Sequence, residues 1–329
     1  MLTLIKAHGS ENQFFLLDQR QLTQPLTDIE LSRIARQLCH PHTGLLGGAD
    51  GLLVIAPSPN TTCLGAMRVI NADGSEAKMC GNGLRTVSRY LAEQSGKTHF
   101  QVATLEADLD VARSANLAPD VPAFSVQIGP ISMAAATLPF AYHQLPELFN
   151  TAVPEFVGQQ TFTAIAVPNP HLISFVDHLD PSVLGELGRR LNAPNPYFPE
   201  GVNVSFAKLL GPNRLFVQTY ERGVGFTNAC GTGMSATSLA FAMQHPTQFD
   251  ASSDLVVLNP GGLVRTHVTL GKTPATSTLR LIGNATFTAK VSLSEPDLHA
   301  GNFSAAHVET TNEEAAYQAF VHHAKQSIL

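Results

Sequence analysis

The sequence contains no tryptophan and only four cysteines among its 329 residues. The cysteines are too sparse for a disulfide-stabilised fold, and they lack the C-x-x-C pairs typical of structural zinc sites, so reduced thiols are expected. No apolar run approaches the roughly 20 residues that a membrane-spanning helix requires. The first strand-like segment is interrupted by Lys6 and His8, which argues against a secretion signal. These absences favour a cytoplasmic protein.

Charge is also sparse in this chain. Charged residues make up 14% of it, with 20 lysines and arginines against 26 aspartates and glutamates. Because the basic residues form no dense cluster, neither nucleic acid nor an anionic membrane is expected as a partner. A hydrophobic content of 44% is that of an ordinary globular protein, and the length favours two domains over one.

Two short motifs resemble each other across 150 residues of sequence. A C-G-N-G motif begins at Cys80 and a C-G-T-G motif begins at Cys230, and a segment with helical character follows each. The N-terminus of a helix has unpaired N–H groups and the positive end of the helix dipole, which stabilise a thiolate or hold a carboxylate. One such motif in each half of the chain predicts one site built from two halves.

The order of predicted elements repeats in the two halves. Thr27 and Glu30 form a capping-box pattern that predicts an amphipathic helix, and the helix after Cys80 is expected to end at Gly96. Strands, a short helix over about 181–191 and the helix after Cys230 follow in matching order, which suggests duplication. The last 35 or so residues predict a terminal helix, interpreted as an appendage.

A pair of cysteines at helix N-termini suits inversion at a carbon atom. A thiolate on one face can remove an α-proton while a thiol on the opposite face supplies one. The backbone N–H groups of the two motifs are then placed to hold the substrate carboxylate. Cys39 and Cys63 lack this context, and for both we expect structural burial.

The chain resembles the diaminopimelate epimerase family. Both of its signature regions are matched, by N-A-D-G from Asn71 leading to the Cys80 motif and by Y-E-R-G from Tyr220 leading to the Cys230 motif. Asn12, an N-P-H segment from Asn169, and Asn203 extend the match over roughly residues 1–290. The double signature with ordered intervening motifs makes the resemblance specific.

The resemblance implies an α/β fold of two pseudo-symmetric domains, each a curved mixed or antiparallel sheet wrapped around a central helix, with the active site in the cleft between them. Residues 1–129 plus about 286–329 would form the domain that carries Cys80, and residues 130–285 the domain that carries Cys230. The implied reaction interconverts LL- and meso-2,6-diaminopimelate, for lysine and peptidoglycan synthesis, without pyridoxal phosphate, metal or nucleotide. The expected partner is a small-molecule substrate, and a homodimer is left open.

The resemblance also implies roles for individual residues. Cys80 and Cys230 would be the acid–base pair. His171 and Glu221 match positions thought to influence the ionisation of the thiols. The positions that would contact substrate are Asn12, Asn71, Gly81, Asn82, Asn169, Asn203, Glu221, Arg222, Gly231 and Thr232. No metal ligand is implied.

Some positions depart from the family pattern. The early G-L-G-N-D-F segment appears here as G-S-E-N-Q-F from Gly9. A glutamine that contacts substrate in some members corresponds to Gly51, and Phe226 replaces a common glutamate. We therefore expect one polar contact to be missing or supplied by another group.

Three other functions stay open at this point. A proline or hydroxyproline racemase would use the same paired thiols, but its substrate has a single carboxylate and little use for Glu221 and Arg222. A dithiol redox protein would form a disulfide between Cys80 and Cys230 during its cycle, whereas epimerisation needs both thiols free. A non-catalytic amino-acid-binding module is the third.

Overall fold

The computed structural model describes residues 1–326. Its strands are β1 Leu2–Gly9, β2 Asn12–Asp18, β3 Gly51–Ala56, β4 Cys63–Asn71, β5 Glu76–Ala77, β6 His99–Ala103, β7 Asp108–Ala118, β8 Val121–Ile128, β9 Thr151–Ala152, β10 Thr161–Ala166, β11 Pro170–Phe175, β12 Asn203–Gly211, β13 Arg214–Glu221, β14 Gly225–Phe226, β15 Leu255–Asn259, β16 Gly262–Thr269, β17 Thr278–Asn284, β18 Thr286–Leu293 and β19 His307–Thr310. Its α-helices are α1 Asp28–Leu38, α2 Gly81–Ser95, α3 Pro154–Val157, α4 Pro181–Asn192, α5 Gly231–Gln244, α6 Glu295–Ala300 and α7 Glu313–Gln326.

The chain divides into two compact units. Unit 1 consists of Met1–Val126 and Gly283–His322, and unit 2 of Gln127–Ile282 with the segment that starts at His323. The chain therefore passes from unit 1 to unit 2 within β8 and returns within β17. The domain predicted from the sequence extends to residue 329, and its last three residues lie outside the described part of the chain.

Unit 1 is built on a mixed sheet. Antiparallel pairs join β1 to β2, β3 to β4, β4 to β5, β6 to β7 and β7 to β8, whereas β2 and β3 are parallel, as are β4 and β6. The strand β18 pairs with the free edge of β1.

Unit 2 has the same connectivity. Antiparallel pairs join β10 to β11, β12 to β13, β13 to β14, β15 to β16 and β16 to β17, and the two parallel pairs are β11 with β12 and β13 with β15. Each β-strand of the series β1–β8 thus has a counterpart in β10–β17, as the predicted duplication requires.

One helix lies against the inner face of each sheet. In unit 1, α2 contacts β1, β2, β3, β4 and β7, and every residue from Gly81 to Ala92 is buried. In unit 2, α5 contacts β10, β11, β12, β13, β15 and β16, and its residues from Gly233 to Ala242 are buried. A helix enclosed in this way has no solvent face. The predicted architecture of a sheet wrapped around a central helix is confirmed for both units.

A second helix covers the outer face of each sheet. Leu31, Ile34 and Leu38 of α1 have helical spacing and pack with Phe15 and Leu17 in one buried cluster. The predicted capping box at its start is present, because Thr27 and Glu30 bond each other's backbone N–H. In unit 2, the helix α4 supplies the corresponding leucines to a separate apolar cluster.

The C-terminal segment up to His322 is part of unit 1, so its interpretation as an appendage was wrong. The strand β19 pairs with β18, and Tyr317 and Val321 of α7 are buried against Val121. Glu313 at the start of α7 forms a two-pronged ion pair with Arg89 of α2. The acidic and alanine-rich sequence of α7 concealed this role, because few of its residues are buried.

Candidate active site

Cys80 is the N-cap residue of α2. Its backbone is extended, with φ −145° and ψ 108°, and its Sγ accepts a hydrogen bond from the N–H of Gly83 at 3.4 Å. A cysteine in this position takes the place of the usual serine or aspartate cap. Residues 81–92 of the helix are buried, whereas the thiol at its N-terminal end is half-buried. The N–H donor and the helix dipole both favour a thiolate here.

An amide network surrounds Cys80. Asn12 lies at the start of β2, and its Oδ1 is 3.7 Å from the Sγ of Cys80 and 3.4 Å from the Nδ2 of Asn82. Asp50 accepts hydrogen bonds from the Nδ2 of Asn12 at 2.6 Å and from the N–H of Gln13 at 2.7 Å. Asp50 therefore fixes the orientation of the Asn12 amide, with its oxygen toward the thiol.

The first turn of α2 offers further polar groups. By helix geometry, the N–H groups of Gly81 and Asn82 have no intrahelical acceptor. The Oδ1 of Asn82 is buried and has no hydrogen-bond partner among the described residues. A buried polar atom without a partner is rare, and it is consistent with a group that awaits a ligand.

Asn71 stands at the end of β4, in a tight turn. Its side-chain amide donates to the Oγ of Ser75 at 3.0 Å, and its backbone brackets the turn through Gly74 and Ser75. The structure gives it no side-chain bond to Cys80, Asn12 or Asn82.

Cys230 is the N-cap residue of α5, the counterpart of α2. Its side chain is 5% exposed, and its Sγ lies 3.7 Å from the hydroxyl of Thr232. Burial raises the pKa of this thiol well above its ordinary value, and the negative charge and hydrogen bonding of Glu221 raise it further. Cys230 is therefore a protonated thiol at neutral pH. The N–H groups of Gly231 and Thr232, in the first turn of α5, have no intrahelical acceptor, like those of Gly81 and Asn82 in unit 1.

Glu221 ends β13, and a hydroxyl holds its carboxylate. The Oγ1 of Thr227 donates a short hydrogen bond to its Oε1. A carboxylate fixed beside the thiol of Cys230 has two uses. It can accept the thiol proton, and it can bind the ammonium group of a substrate.

Asn169 and His171 form a second polar group near Cys230. Asn169 donates to the Oγ1 of Thr232 at 3.3 Å, and its Oδ1 lies 3.2 Å from the Nε2 of His171. His171 is fully buried, and burial together with the charge of Arg222 lowers its pKa to about 3. The imidazole is therefore neutral at physiological pH, so it acts on its neighbours through hydrogen bonds and dipoles, not through charge.

Asn203 joins this group to Arg222. Its Nδ2 donates to the carbonyl of Pro170 at 3.0 Å, and its Oδ1 accepts from the N–H of Arg222 at 2.9 Å. The guanidinium of Arg222 donates one bond, from Nη1 to the carbonyl of Glu200 at 3.1 Å. It has no carboxylate partner in the described part of the chain, so the guanidinium is available to bind a carboxylate group of a ligand.

None of the four cysteines, all within residues 1–326, forms a disulfide. Cys39 is 1% exposed and burial raises its pKa to about 12, and Cys63 is 8% exposed with its pKa also raised by burial. The structural burial predicted for these two residues is confirmed. Inert, protonated thiols at both positions make them suitable controls for the other two.

Sequence reasoning missed two residues that hold the predicted ones in place. Asp50 anchors Asn12, and no motif of the sequence singled it out. Thr227 anchors Glu221, and no motif singled it out either. The available signal was position alone, since Asp50 directly precedes β3 and Thr227 directly follows β14.

Among residues 1–326 no cluster of three or more His, Cys, Asp or Glu residues is suited to a metal ion. Within the same range, no helix combines the length and the apolar character that crossing a membrane requires.

The matching family model and the curated relatives agree on one family. A family model described as "Diaminopimelate epimerase" matches residues 4–133 and 163–286. A diaminopimelate epimerase of Ligilactobacillus salivarius (strain UCC118) is 48% identical over 97% of this chain and 98% of its own. One of Lactiplantibacillus plantarum (strain ATCC BAA-793 / NCIMB 8826 / WCFS1) is also 48% identical, over 97% of each chain.

A solved structure of a Bacillus anthracis phenazine biosynthesis protein of the PhzF family shares the fold. Its TM-score is 0.61 at 13% identity, over 89% of this chain and 99% of that one. Similarity at this level of sequence identity supports a shared fold, and the function is judged from the more similar relatives. With both cysteine motifs inside the matched segments and near full-length relatives at 48% identity, the chain belongs to the diaminopimelate epimerase family.

Proposed function

We propose that this protein is an isomerase that interconverts LL- and meso-2,6-diaminopimelate by proton transfer between Cys80, Cys230 and the substrate α-carbon. The observation that carries the proposal is a repeated construction. In each of two units with the same connectivity, a cysteine caps the buried central helix. Membership of the family supports the substrate.

The surroundings of the two thiols favour different ionisation states. Cys80 is half-buried and accepts the N–H of Gly83, whereas Cys230 is buried and faces the carboxylate of Glu221. Of the two, Cys80 is therefore assigned as the base and Cys230 as the acid. Because two such groups on one substrate titrate together, the pH dependence of turnover reports the pair.

In the forward step the thiolate of Cys80 removes the α-proton. The C–H bond breaks, an S–H bond forms, and the electron pair moves into the adjacent carboxylate. The thiol of Cys230 then donates its proton to the opposite face of the carbon and becomes the thiolate. In the reverse reaction the two cysteines exchange these roles.

The negative charge that develops on the α-carboxylate needs fixed donors. The N–H groups of Gly81 and Asn82 in unit 1, and of Gly231 and Thr232 in unit 2, supply them at two helix N-termini. Such groups need no reorientation as the charge forms, which is the main electrostatic contribution to catalysis in sites of this kind.

The distal amino-acid group of the substrate must also be held. Arg222 has its guanidinium fork available for the distal carboxylate, and Glu221 can accept from an ammonium. The remaining contacts are assigned to the amides of Asn12, Asn71, Asn169 and Asn203. His171, neutral and bonded to Asn169, orients that amide.

Replacing Arg222 by lysine is expected to lower kcat/KM for diaminopimelate by about 10- to 100-fold, since a bidentate charged contact contributes roughly 1.5–3 kcal/mol. The loss should appear mainly in KM, because the distal contact is made in ground and transition states alike. Steady-state kinetics checks this. Unchanged kcat/KM would remove Arg222 from the site. Arg190→Lys, on the outer helix α4, is the matched control and should behave like the parent enzyme.

The proposed reaction also implies a metabolic role, a cellular location and a reaction without cofactors. An enzyme with this activity serves lysine and peptidoglycan synthesis in the cytoplasm, and it works without pyridoxal phosphate, metal or nucleotide. A homodimer is the assembly that we assign to it, and sedimentation equilibrium measures it directly.

The function is tested by incubating the purified protein with LL-diaminopimelate in deuterium oxide. The expected product is meso-diaminopimelate with deuterium at the inverted α-carbon, since the incoming proton comes from a thiol that exchanges with solvent. L-proline and trans-4-hydroxy-L-proline are assayed in parallel. Racemisation of either without action on diaminopimelate would replace the proposed substrate.

A further inference from the structure

Arg85 is a fully buried arginine that has no acidic partner in the described part of the chain. It lies on α2, five residues after Cys80, which corresponds to about 7.5 Å of helix rise. Its Nε donates to the carbonyl of Asn284 at 3.1 Å and its Nη2 donates to the hydroxyl of Ser10 at 3.0 Å. Its Nη1 has no hydrogen-bond partner among residues 1–326. None of its bonds goes to a carboxylate.

The next arginine along the same helix shows the ordinary arrangement. Arg89 is 7% exposed and bonds the carboxylates of Glu93 and Glu313. Burying a charge without such a partner costs stability. Burial lowers the pKa of Arg85 to about 10, which leaves it charged at neutral pH. A structural role alone gives no reason to keep an unpaired cation at this place.

Two glycines make room for the Arg85 side chain. A Cβ atom at Gly9 would lie 2.7 Å from the backbone oxygen of Asn82 and 2.9 Å from the Nη2 of Arg85, and one at Gly283 would lie 2.8 Å from the Cζ of Arg85. These separations are shorter than real Cβ contacts, so a larger residue at either position would force the guanidinium or the backbone of α2 to shift. The absence of side chains at Gly9 in β1 and Gly283 in β17 thus provides the space that the Arg85 side chain occupies.

The hydrogen bond to Ser10 connects Arg85 to the active-site amides. Ser10 and Glu11 form the turn between β1 and β2, with φ of 53° and 66°, and Asn12 follows directly. Left-handed backbone at two consecutive non-glycine residues is strained. The bond from Arg85 to the Ser10 hydroxyl holds the turn, and with it the amide that contacts Cys80.

Few ionisable groups compete for the charge of Arg85. Within residues 1–326, the charges that act on it are those of Tyr317 on α7 and of Cys80 on its own helix. Glu11 and Glu314 act on Tyr317, and His8 packs against the Tyr317 ring and bonds Glu314. The phenol is neutral at physiological pH, because burial raises its pKa above the usual value. The thiolate form of Cys80 is therefore the anion that the charge of Arg85 can stabilise directly.

We propose that Arg85 is a positioning residue for the reaction: its fork orders the turn that carries Asn12, and its unpaired charge favours the thiolate of Cys80. The effect on turnover rests on the proposed function. The effect on Cys80 does not, since thiol reactivity can be measured without a substrate.

The test compares Arg85→Gln, Arg85→Lys and the control Arg89→Lys. The rate of alkylation of Cys80 by iodoacetamide is followed against pH, with the Cys80 peptide read by mass spectrometry. Arg85→Gln should raise the midpoint of this profile by about 0.5–1 pH unit, as expected for the loss of a nearby opposite charge. Arg85→Lys should keep the midpoint but lower kcat about tenfold, because the bond to Ser10 is lost. Arg89→Lys should lower the melting temperature and leave the midpoint unchanged.

A second variant guards against misfolding of Arg85→Gln. Ser10→Gly removes the hydroxyl, suits the left-handed backbone, and should also lower kcat while the alkylation midpoint stays in place. An unchanged midpoint in folded Arg85→Gln would overturn the electrostatic part of the proposal. Parental kcat in both Arg85→Lys and Ser10→Gly would overturn the positioning part. If the protein does not act on diaminopimelate, the alkylation profiles still decide the role of the charge.

Discussion

Cys80→Ala and Cys230→Ala are each expected to lower kcat for epimerisation by roughly 10²- to 10⁴-fold, the contribution of a positioned general acid or base. Inversion needs a group on each face of the α-carbon, so neither thiol can replace the other. Circular dichroism should show that both variants fold, because Cys80 is half-buried and Cys230 loses a single sulfur at a helix cap.

The exchange of the α-proton with deuterium gives a finer readout. A lone remaining cysteine can remove a proton and return a deuteron on its own face, without inversion. Each variant should therefore label one stereochemical configuration only, and the two variants should label opposite ones. Labelling by Cys80→Ala should be the slower, since burial and Glu221 disfavour the thiolate of the remaining Cys230.

Cys39→Ala and Cys63→Ala are the matched controls, since both thiols are buried and protonated outside the site. Both should retain kcat and exchange at either configuration. Near-parental inversion by Cys80→Ala or Cys230→Ala, or exchange of both configurations by one variant, would refute the two-base assignment.

Glu221→Gln should have two effects of opposite sign. The carboxylate raises the pKa of Cys230, so its removal should make this thiol ionise at lower pH. At the same time kcat/KM for diaminopimelate should fall by about 10- to 100-fold, because a charged hydrogen bond to the substrate ammonium is lost. The variant would thus be more reactive toward iodoacetamide and less active as an epimerase.

Alkylation of the Cys230 peptide against pH and steady-state kinetics measure the two effects separately. Glu186→Gln is the control, because Glu186 is exposed on α4 in the same unit. A thiol that titrates as in the parent protein would show that Glu221 does not act on Cys230. A loss of activity without that shift would leave Glu221 a role in substrate binding alone.

Local rules predicted the parts of this fold that depend on short stretches of sequence. The capping box at Thr27, the C-cap at Gly96 and the helices after Cys80 and Cys230 each follow from a few neighbouring residues. The repeat of element order was also visible, because the two halves use the same succession of strands and helices.

Properties that depend on distant partners were not predictable. An arginine such as Arg85, among polar neighbours in a helix, is normally expected on the surface. Its burial depends on Gly9 and Gly283, which are far apart in sequence and meet only in the folded sheet. The role of α7 was hidden for the same reason, since the partner of Glu313 is Arg89, 224 residues earlier.

The candidate site also combines features that local sequence predicts with features that depend on distant residues. The repeated motifs singled out both cysteines, and the family resemblance singled out the asparagines, whose roles as substrate contacts stay predictions. The different surroundings of the thiols were not visible, because they depend on burial and on Glu221 reaching Cys230 from another strand. The neutrality of His171 likewise follows from complete burial, which a loop-like N-P-H segment does not reveal.

The pairing of β18 with β1 joins two segments that lie on opposite sides of Gln127–Ile282 in the sequence. A ribosome completes Gln127–Ile282, the main segment of unit 2, before it has made β18. During synthesis unit 1 therefore keeps the edge of β1 unpaired while unit 2 is already able to fold. This reverses the usual order, in which the N-terminal domain folds first. Exposed strand edges promote aggregation, so this interval is where a nascent chain most needs chaperone protection.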